Sequence, residues 1–355
     1  MKILYMNGIE WKQVAGRHQM MYYEMEKTGR YDCTVIDVHK VLRSHRHSLK
    51  RNTLPPKYRI ACQFPYQYEL AISRWLTALS YRRVMRDMNE YDFIWLGSPE
   101  IIRYIPESYT GKILYDCMDN YENFSNKKSR KPKVREKERE CIRRAEIVLA
   151  TSEWLCDRIR GFDKECSPIL VRNAYDGKRI YPVKEALKKS VYQIGFIGAV
   201  AGWVDVEIMD WSTQRCPDIC YHLVGPYTSQ IQGNERLIYE GSKEHDALYN
   251  FVKEYDCLVM PFHINDLTRA VDPVKLYEYI AFGKCIVSCY YEEIERFEPF
   301  VYFYHDREEY VDLLNHLARE GFPPKYTREE QERFIRENTW EKRFEIVDGL
   351  LEGYL

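Results

Sequence analysis

Asp272-Pro273-Val274-Lys275-Leu276-Tyr277-Glu278-Tyr279-Ile280-Ala281-Phe282-Gly283-Lys284-Cys285-Ile286-Val287 passes from a helix start, through a helical period, to a glycine and then an apolar run. Asp272 is a candidate N-cap with Pro273 at the first helical position. Val274–Ala281 reads as the helix and Ile286–Ser288 as a strand buried on both faces. The same alternation extends in both directions. Apolar runs at Gln193–Ile197, Cys220–Val224, Cys257–Val259 and Val301–Tyr304 read as strands, with helical periods at Leu248–Lys253 and Tyr310–Arg319. The first half repeats it, with strands at Lys2–Met6, Thr34–Val38, Phe93–Leu96, Ile113–Tyr115, Ile147–Ala150 and Ile169–Val171. Its helical periods are Gln19–Glu26, Glu69–Met88 and Glu136–Arg144. Two series of this kind predict an α/β chain of two doubly wound parallel sheets in tandem.

The 355-residue length fits two domains. Composition, at 45% hydrophobic and 30% charged, excludes collagen-like, disordered and disulfide-scaffold classes. No apolar run approaches a membrane span, and the N-terminus reads as a strand rather than a signal peptide. The 11 cysteines form no Cys-x-x-Cys pair, which predicts reduced cytoplasmic thiols rather than a zinc ribbon. A net charge of -1 conceals a split. Residues 1–180 hold 34 Lys+Arg against 23 Asp+Glu, whereas residues 181–355 hold 19 against 31. A basic first half suits an anionic partner. Its charge concentrates in His39–Arg59, which includes Lys50, Arg51, Lys57 and Arg59, and in Asn126–Arg144. Tyr58, Phe64, Tyr66, Tyr68 and Trp75 adjoin the first of these segments, a combination that suits an anionic membrane face. The alternatives are a solvated basic face and a pocket for a soluble anionic acceptor. The change of charge coincides with the polar stretch Asp176–Lys189, the expected boundary.

Ligands of open parallel sheets sit beyond the carboxyl ends of the strands, so candidate residues come from the turns there. Gly8 allows close approach, and Arg17 and His18 lie near a helix start that suits phosphate. Gly198 and Ala199 open the second half with a turn whose N–H groups suit a diphosphate. Asp116 and Asp119 follow a strand, and either can serve as a general base or, for Asp119, as a helix cap. Pro261 and Phe262 follow another strand. Asp272, Lys275 and Glu278 are spaced to share one helical face, where lysine can neutralise a phosphate and glutamate can accept ribose hydroxyls. Lys275–Glu278 can equally be a plain ion pair. Neither half carries G-x-G-x-x-G with an acidic residue about 20 positions on, which argues against an NAD-dependent oxidoreductase.

In the order Gly198, Leu223–Pro226, Met260-Pro261-Phe262 and Lys275-x-x-Glu278-Tyr279-x-Ala281-x-Gly283-Lys284-Cys285-Ile286-Val287, the second half resembles GT-B glycosyltransferases. The likeness is to the GT4-like bacterial surface-polysaccharide branch, which includes teichuronic-acid-type glycosyltransferases and the xanthan glucuronosyltransferase. Tyr115-Asp116-x-x-Asp119, Ala150–Leu155, Val171–Asp176 and Asn338–Phe344 extend it over nearly the whole chain.

The resemblance implies two Rossmann-like domains with the active site in the cleft between them. It implies an acceptor-binding domain at 1–180, a nucleotide-sugar domain at 181–335, and a final helix at 336–355 that returns to the first domain. It implies a UDP-sugar donor, a glycan or lipid-linked acceptor, and no metal or other cofactor. The lack of a recognised nucleic-acid motif and the acidic second half argue against a nucleic-acid partner, and the reduced thiols with the basic, aromatic first half predict a cytoplasmic protein peripheral on the inner membrane face. Glu278 would take the ribose, and Lys275 with Gly198–Ala199 the diphosphate; Pro261 and Phe262 would lie near the donor. The family's Glu-x7-Glu pattern is broken, because Ala270 stands eight residues before Glu278. A nucleotide-sugar epimerase of the same fold and a non-catalytic nucleotide-binding partner subunit remain as alternatives.

Overall fold

The computed structural model describes all residues except 13–15, 42–53, 68, 125–127, 177–178, 228–233, 244 and 355. It comprises two compact units, Met1–Asn173 with Trp340–Leu355, and Ala174–Thr339.

The first unit is built on strands β1 (Lys2–Met6), β2 (Asp32–Lys40), β3 (Tyr58–Gln63), β4 (Phe93–Leu96), β5 (Lys112–Cys117), β6 (Ile147–Ala150) and β7 (Ile169–Leu170). All pair in parallel, in the order β3-β2-β1-β4-β5-β6-β7. Central strands β1, β4 and β6 are buried along nearly their whole length, as a sheet covered on both faces requires. Connections run through α1 (Arg17–Thr28), α2 (Ala71–Val84), α3 (Lys131–Arg144) and α4 (Glu153–Phe162). Ser152 caps α4, its hydroxyl accepting the Leu155 N–H at 3.2 Å.

The second unit repeats the plan. Strands β8 (Tyr192–Ile197), β9 (Ile219–Val224), β10 (Leu237–Gly241), β11 (Cys257–Met260), β12 (Cys285–Cys289) and β13 (Tyr302–Tyr304) form a parallel sheet ordered β10-β9-β8-β11-β12-β13. Helices α5 (Val206–Thr213), α6 (His245–Val252), α7 (Val274–Ala281), α8 (Arg307–Glu320) and α9 (Arg328–Glu337) accompany it. A reciprocal cap starts α9, in which Thr327 and Glu330 satisfy each other's backbone N–H groups.

In each sheet the order reverses beside the first strand, between β1 and β4 and between β8 and β11. Those two points are where a doubly wound sheet opens a crevice for ligands.

The last helix, α10 (Trp340–Glu352), packs on α1 in the first unit. Arg30 pairs with Asp348 and Glu352, the Phe344 ring meets Tyr31 edge-on at 6.2 Å, and Val347 and Leu351 are fully buried. The chain divides at Asn173/Ala174, just ahead of the polar stretch that marks the change of charge. Asp272 is not the cap of α7: Pro273 occupies that position without a side-chain hydrogen bond, and the Asp272 carboxylate is engaged elsewhere. All 11 cysteines are unbridged. No helix among the described residues is long and apolar enough to cross a membrane.

Phe344→Ala removes a buried ring (3% exposed) that joins α10 to α1. We expect a loss of about 3–5 kcal/mol, read in denaturant titration as earlier unfolding of the first unit with the second unit's transition unmoved.

Candidate functional site

In the second unit the chain leaves β8 at Ile197 and turns at Gly198, whose φ is +140°. The Gly198 N–H donates to the Val224 carbonyl at 2.8 Å, and the Val200 N–H donates to the Pro226 carbonyl at 2.9 Å. Gly225 passes so close that a Cβ on it would lie 2.0 Å from the Gly198 carbonyl oxygen. The Tyr279 hydroxyl braces the turn from below, accepting the Ile197 N–H at 3.0 Å.

Above the turn lies Lys275, from the first turn of α7. A Cβ on Gly198 would sit 2.2 Å from Lys275 Cε and 2.6 Å from Nζ. Burial pushes this amine's pKa down from 10.5, against the upward pull of Glu278. No described residue gives the amine a hydrogen-bonded counter-ion. Protein atoms surround it, yet the side chain is only half-buried, so one side remains open. A desolvated cation of this kind gains from an anion. The Gly198 N–H is spent on Val224, whereas the Ala199 N–H has no partner among the described residues. The Gly198 N–H is therefore not open for the diphosphate contact expected of it, and Gly198 supplies the space in which Lys275 lies. Glu278 is half-buried one turn further along α7.

Pro261 and Phe262 follow β11. Their backbones fasten the loop that leads into α5: the Pro261 carbonyl accepts the Asp205 N–H at 2.8 Å, and Phe262 bridges Val204. Phe262 is buried and its N–H donates to Cys289 Sγ at 3.3 Å. Asp272, grouped from its spacing with Lys275 and Glu278 as a donor-side residue, does not join them on an open helical face. Its carboxylate is 1% exposed, accepts the Tyr277 hydroxyl at 3.2 and 3.1 Å, and is paired with Arg296. That cluster anchors α7 to the turn at Glu292–Phe297. Ala270, at the place of the missing glutamate, is fully buried.

In the first unit, Arg17 and Asp116 consume one another. The guanidinium donates to both carboxylate oxygens at 2.9–3.1 Å and also to the carbonyls of Val171 at 2.8 Å and Arg172 at 3.2 Å. Both side chains are buried. Four of the five guanidinium N–H groups are committed within the protein, and both oxygens of the carboxylate are held by the arginine. These two expected roles are replaced by one structural tie that joins α1, β5 and the chain after β7.

His18 is not a cation either. Burial lowers its pKa to about 4. The ring lies edge-on to Tyr5, and a Cβ on Gly97 would fall 2.2 Å from its Cε1. Its Nδ1 and the Asn7 Nδ2 are both buried without a hydrogen-bond partner among the described residues. Gly8, between them in sequence, packs against Ser98. Two orphaned polar atoms at the point of strand reversal mark a place for a polar ligand.

Asp119 lies two residues beyond β5. Its carboxyl has no partner among the described residues, and burial raises its pKa from 3.8 to about 7. It is half-buried, enclosed by protein yet reachable by solvent. Tyr121 holds the loop by donating its N–H to the Asp119 carbonyl at 2.9 Å and its hydroxyl to the Gly97 carbonyl at 2.6 Å. Thr151 secures the Met118 carbonyl at 3.0 Å. Asp119 therefore borders the turn that supports His18. Among these residues, sequence reasoning missed the roles of Asn7, Tyr121 and Tyr279. For Tyr279 the signal was its place four residues after Lys275, on the buried side of α7.

No family model matches the chain. Anabaena HepE, solved in complex with UDP and glucose, superposes with a TM-score of 0.70 at 12% identity, covering 99% of each chain. The lipopolysaccharide outer core galactosyltransferase WaaB, in its apo form, gives a TM-score of 0.69 at 14% identity and covers 100% of both chains. This is the GT-B fold. In sequence, the GT-B chain is 23% identical over 228 residues to the Bacillus subtilis (strain 168) protein named "Putative teichuronic acid biosynthesis glycosyltransferase TuaH". That match spans 57% of this chain and 57% of the relative, so the chain covers little more than half of the curated relative's length.

The raised pKa of Asp119 has a consequence for stability. Its folded value, about 7, exceeds the ordinary 3.8, so the fold favours the protonated carboxyl. Ionisation costs nothing below about pH 4; the penalty grows as pH rises and is complete just above 7. Asp119→Asn should raise Tm at pH 8 by about 2–4 °C and leave it unchanged at pH 4, as read by scanning calorimetry.

Proposed function

We propose that the chain is a glycosyltransferase. It moves a sugar from a UDP-sugar, bound by the second unit, to a growing polysaccharide or lipid-linked glycan bound by the first. The observation that carries this reading is Lys275: a half-buried amine without a hydrogen-bonded counter-ion, laid over the Gly198 turn beside the open N–H of Ala199, at the point where the strand order reverses. Glu278, one turn on, accepts the ribose hydroxyls. The full-length likeness to a protein solved with UDP and glucose supports the choice of donor.

As the sugar–phosphate bond breaks, negative charge gathers on the departing diphosphate. The Lys275 amine and the Ala199 N–H stabilise it without reorganisation, since both are already in place. Asp119 is the base for the acceptor hydroxyl. Its pKa of about 7 lets it hold a proton at the end of the reaction and lose it to solvent before the next. His18 and Asn7 hold acceptor hydroxyls through their unpaired nitrogens. The acceptor is presented at the cytoplasmic face of the cell membrane, where the first unit docks.

Glu278→Ala should weaken UDP binding by about 1–3 kcal/mol in titration calorimetry, and unchanged affinity removes Glu278 from the site. Asp119→Asn should lower turnover by about 10²–10⁴ with UDP affinity retained. In the parent protein kcat/KM should rise with pH to a plateau above about 7. Full activity of Asp119→Asn across that range leaves the reaction without this base.

A further inference from the structure

Part of the charge in the basic segments is already paired. Lys57 pairs with Asp32, and Arg59 holds both oxygens of Asp87. On α3, Arg135 pairs with Glu122 and Arg144 with Glu140. Lys50 and Arg51 lie outside the described residues.

A different surface stands out. Helix α2 carries its polar and apolar faces the opposite way round from an ordinary surface helix. Its inner face is hydroxylated. Thr77 is fully buried, its hydroxyl donating to the Ser73 carbonyl at 2.8 Å and accepting the Phe64 N–H at 3.0 Å. Ser80 accepts the Cys62 N–H at 2.8 Å. These bonds fix the helix rotation against β3 and its exit. Outward point Ile72, 60% exposed, Trp75, 58% exposed, and Leu79, 49% exposed. The spacing of three and four residues puts them on one stripe. The same face continues, one turn later, into Arg82 and Arg83, both exposed and in no ion pair among the described residues. A contiguous exposed apolar stripe marks an interaction surface. Here it is a convex single helix rather than a groove, it carries a tryptophan, and it ends in unpaired cations. That chemistry matches a helix lying in the headgroup layer of an anionic bilayer.

We propose that α2 is the membrane-docking element of the first unit, with Ile72, Trp75 and Leu79 entering the interface of an anionic phospholipid surface and Arg82 and Arg83 meeting its headgroups. This rests on the membrane-face part of the proposed function and is independent of the sugar chemistry. The test is co-sedimentation of the full chain with phosphatidylcholine vesicles, with and without phosphatidylglycerol. The parent protein should pellet only with the anionic vesicles and be released by salt. Trp75→Ser/Leu79→Ser should weaken the partition at least about tenfold, as should Arg82→Glu/Arg83→Glu. Both variants alter exposed positions and should keep the parent's Tm and UDP affinity.

The proposal is overturned if the parent stays in the supernatant at low salt, or if both double variants bind as it does. It is also overturned if sedimentation shows a dimer that Trp75→Ser/Leu79→Ser makes monomeric, since the stripe then belongs to a second copy. Calorimetry with UDP separates the two readings. Vesicle binding without UDP affinity counts against the transferase alone, and UDP affinity without vesicle binding counts against the docking helix alone.

Discussion

The close passage of Gly225 against the Gly198 carbonyl organises the second unit's candidate site. No side chain fits between the two backbones, since a Cβ on Gly225 would lie 2.0 Å from that oxygen. The contact draws the ends of β8 and β9 together and commits the Gly198 N–H to Val224. The volume a side chain would occupy on Gly198 is filled instead by the Lys275 stem. The lysine is thus placed by backbone geometry, with Tyr279 fixing the other side of the same turn. A cation held in this way needs no reorganisation when an anion arrives, which is the condition for effective electrostatic stabilisation.

The first unit reaches a comparable result by using up its charges. Arg17 and Asp116 neutralise one another across three elements. Beneath β5, the buried Glu138 accepts from Arg158 at 2.7 Å. What these ties leave at the strand ends is uncharged or nearly so: a neutral His18, the Asn7 amide, and an Asp119 poised near neutrality. Such a surface suits a neutral polyhydroxylated ligand better than a phosphate, and this separates the chemistry of the two units.

The central strands were legible because a strand buried on both faces must be an unbroken apolar run, as in Phe93–Leu96 or Cys257–Met260. Of the edge strands, β7 and β13 were read from their apolar runs, whereas β3 and β10 were not. β3 is Tyr-Arg-Ile-Ala-Cys-Gln, and its alternation of half-exposed residues reads as part of a basic segment. β10 likewise carries exposed Ile238 and Tyr239. At the sites, spacing correctly placed Lys275 and Glu278 on one helix and Asp119 after a strand. It could not reveal that Arg17 and Asp116, 99 residues apart, meet, or that Arg296 reaches Asp272. Ion pairs between distant residues leave no local pattern, so a charged residue at a strand end reads the same whether it is free or already paired.

The return of α10 to the first unit bears on how the polypeptide is made. The second unit, residues 174–339, is an insertion within the first. As the chain leaves the ribosome, the first sheet emerges early, but the helix that covers α1 is translated only after the whole second unit. At bacterial and eukaryotic synthesis rates that interval is on the order of 10–30 s. During it, the surface of α1 that later receives Phe344, Val347 and Leu351 is open to solvent and to chaperones. Every element of the second unit precedes α10 in the chain, so that unit can finish folding without any segment made later, whereas the first cannot.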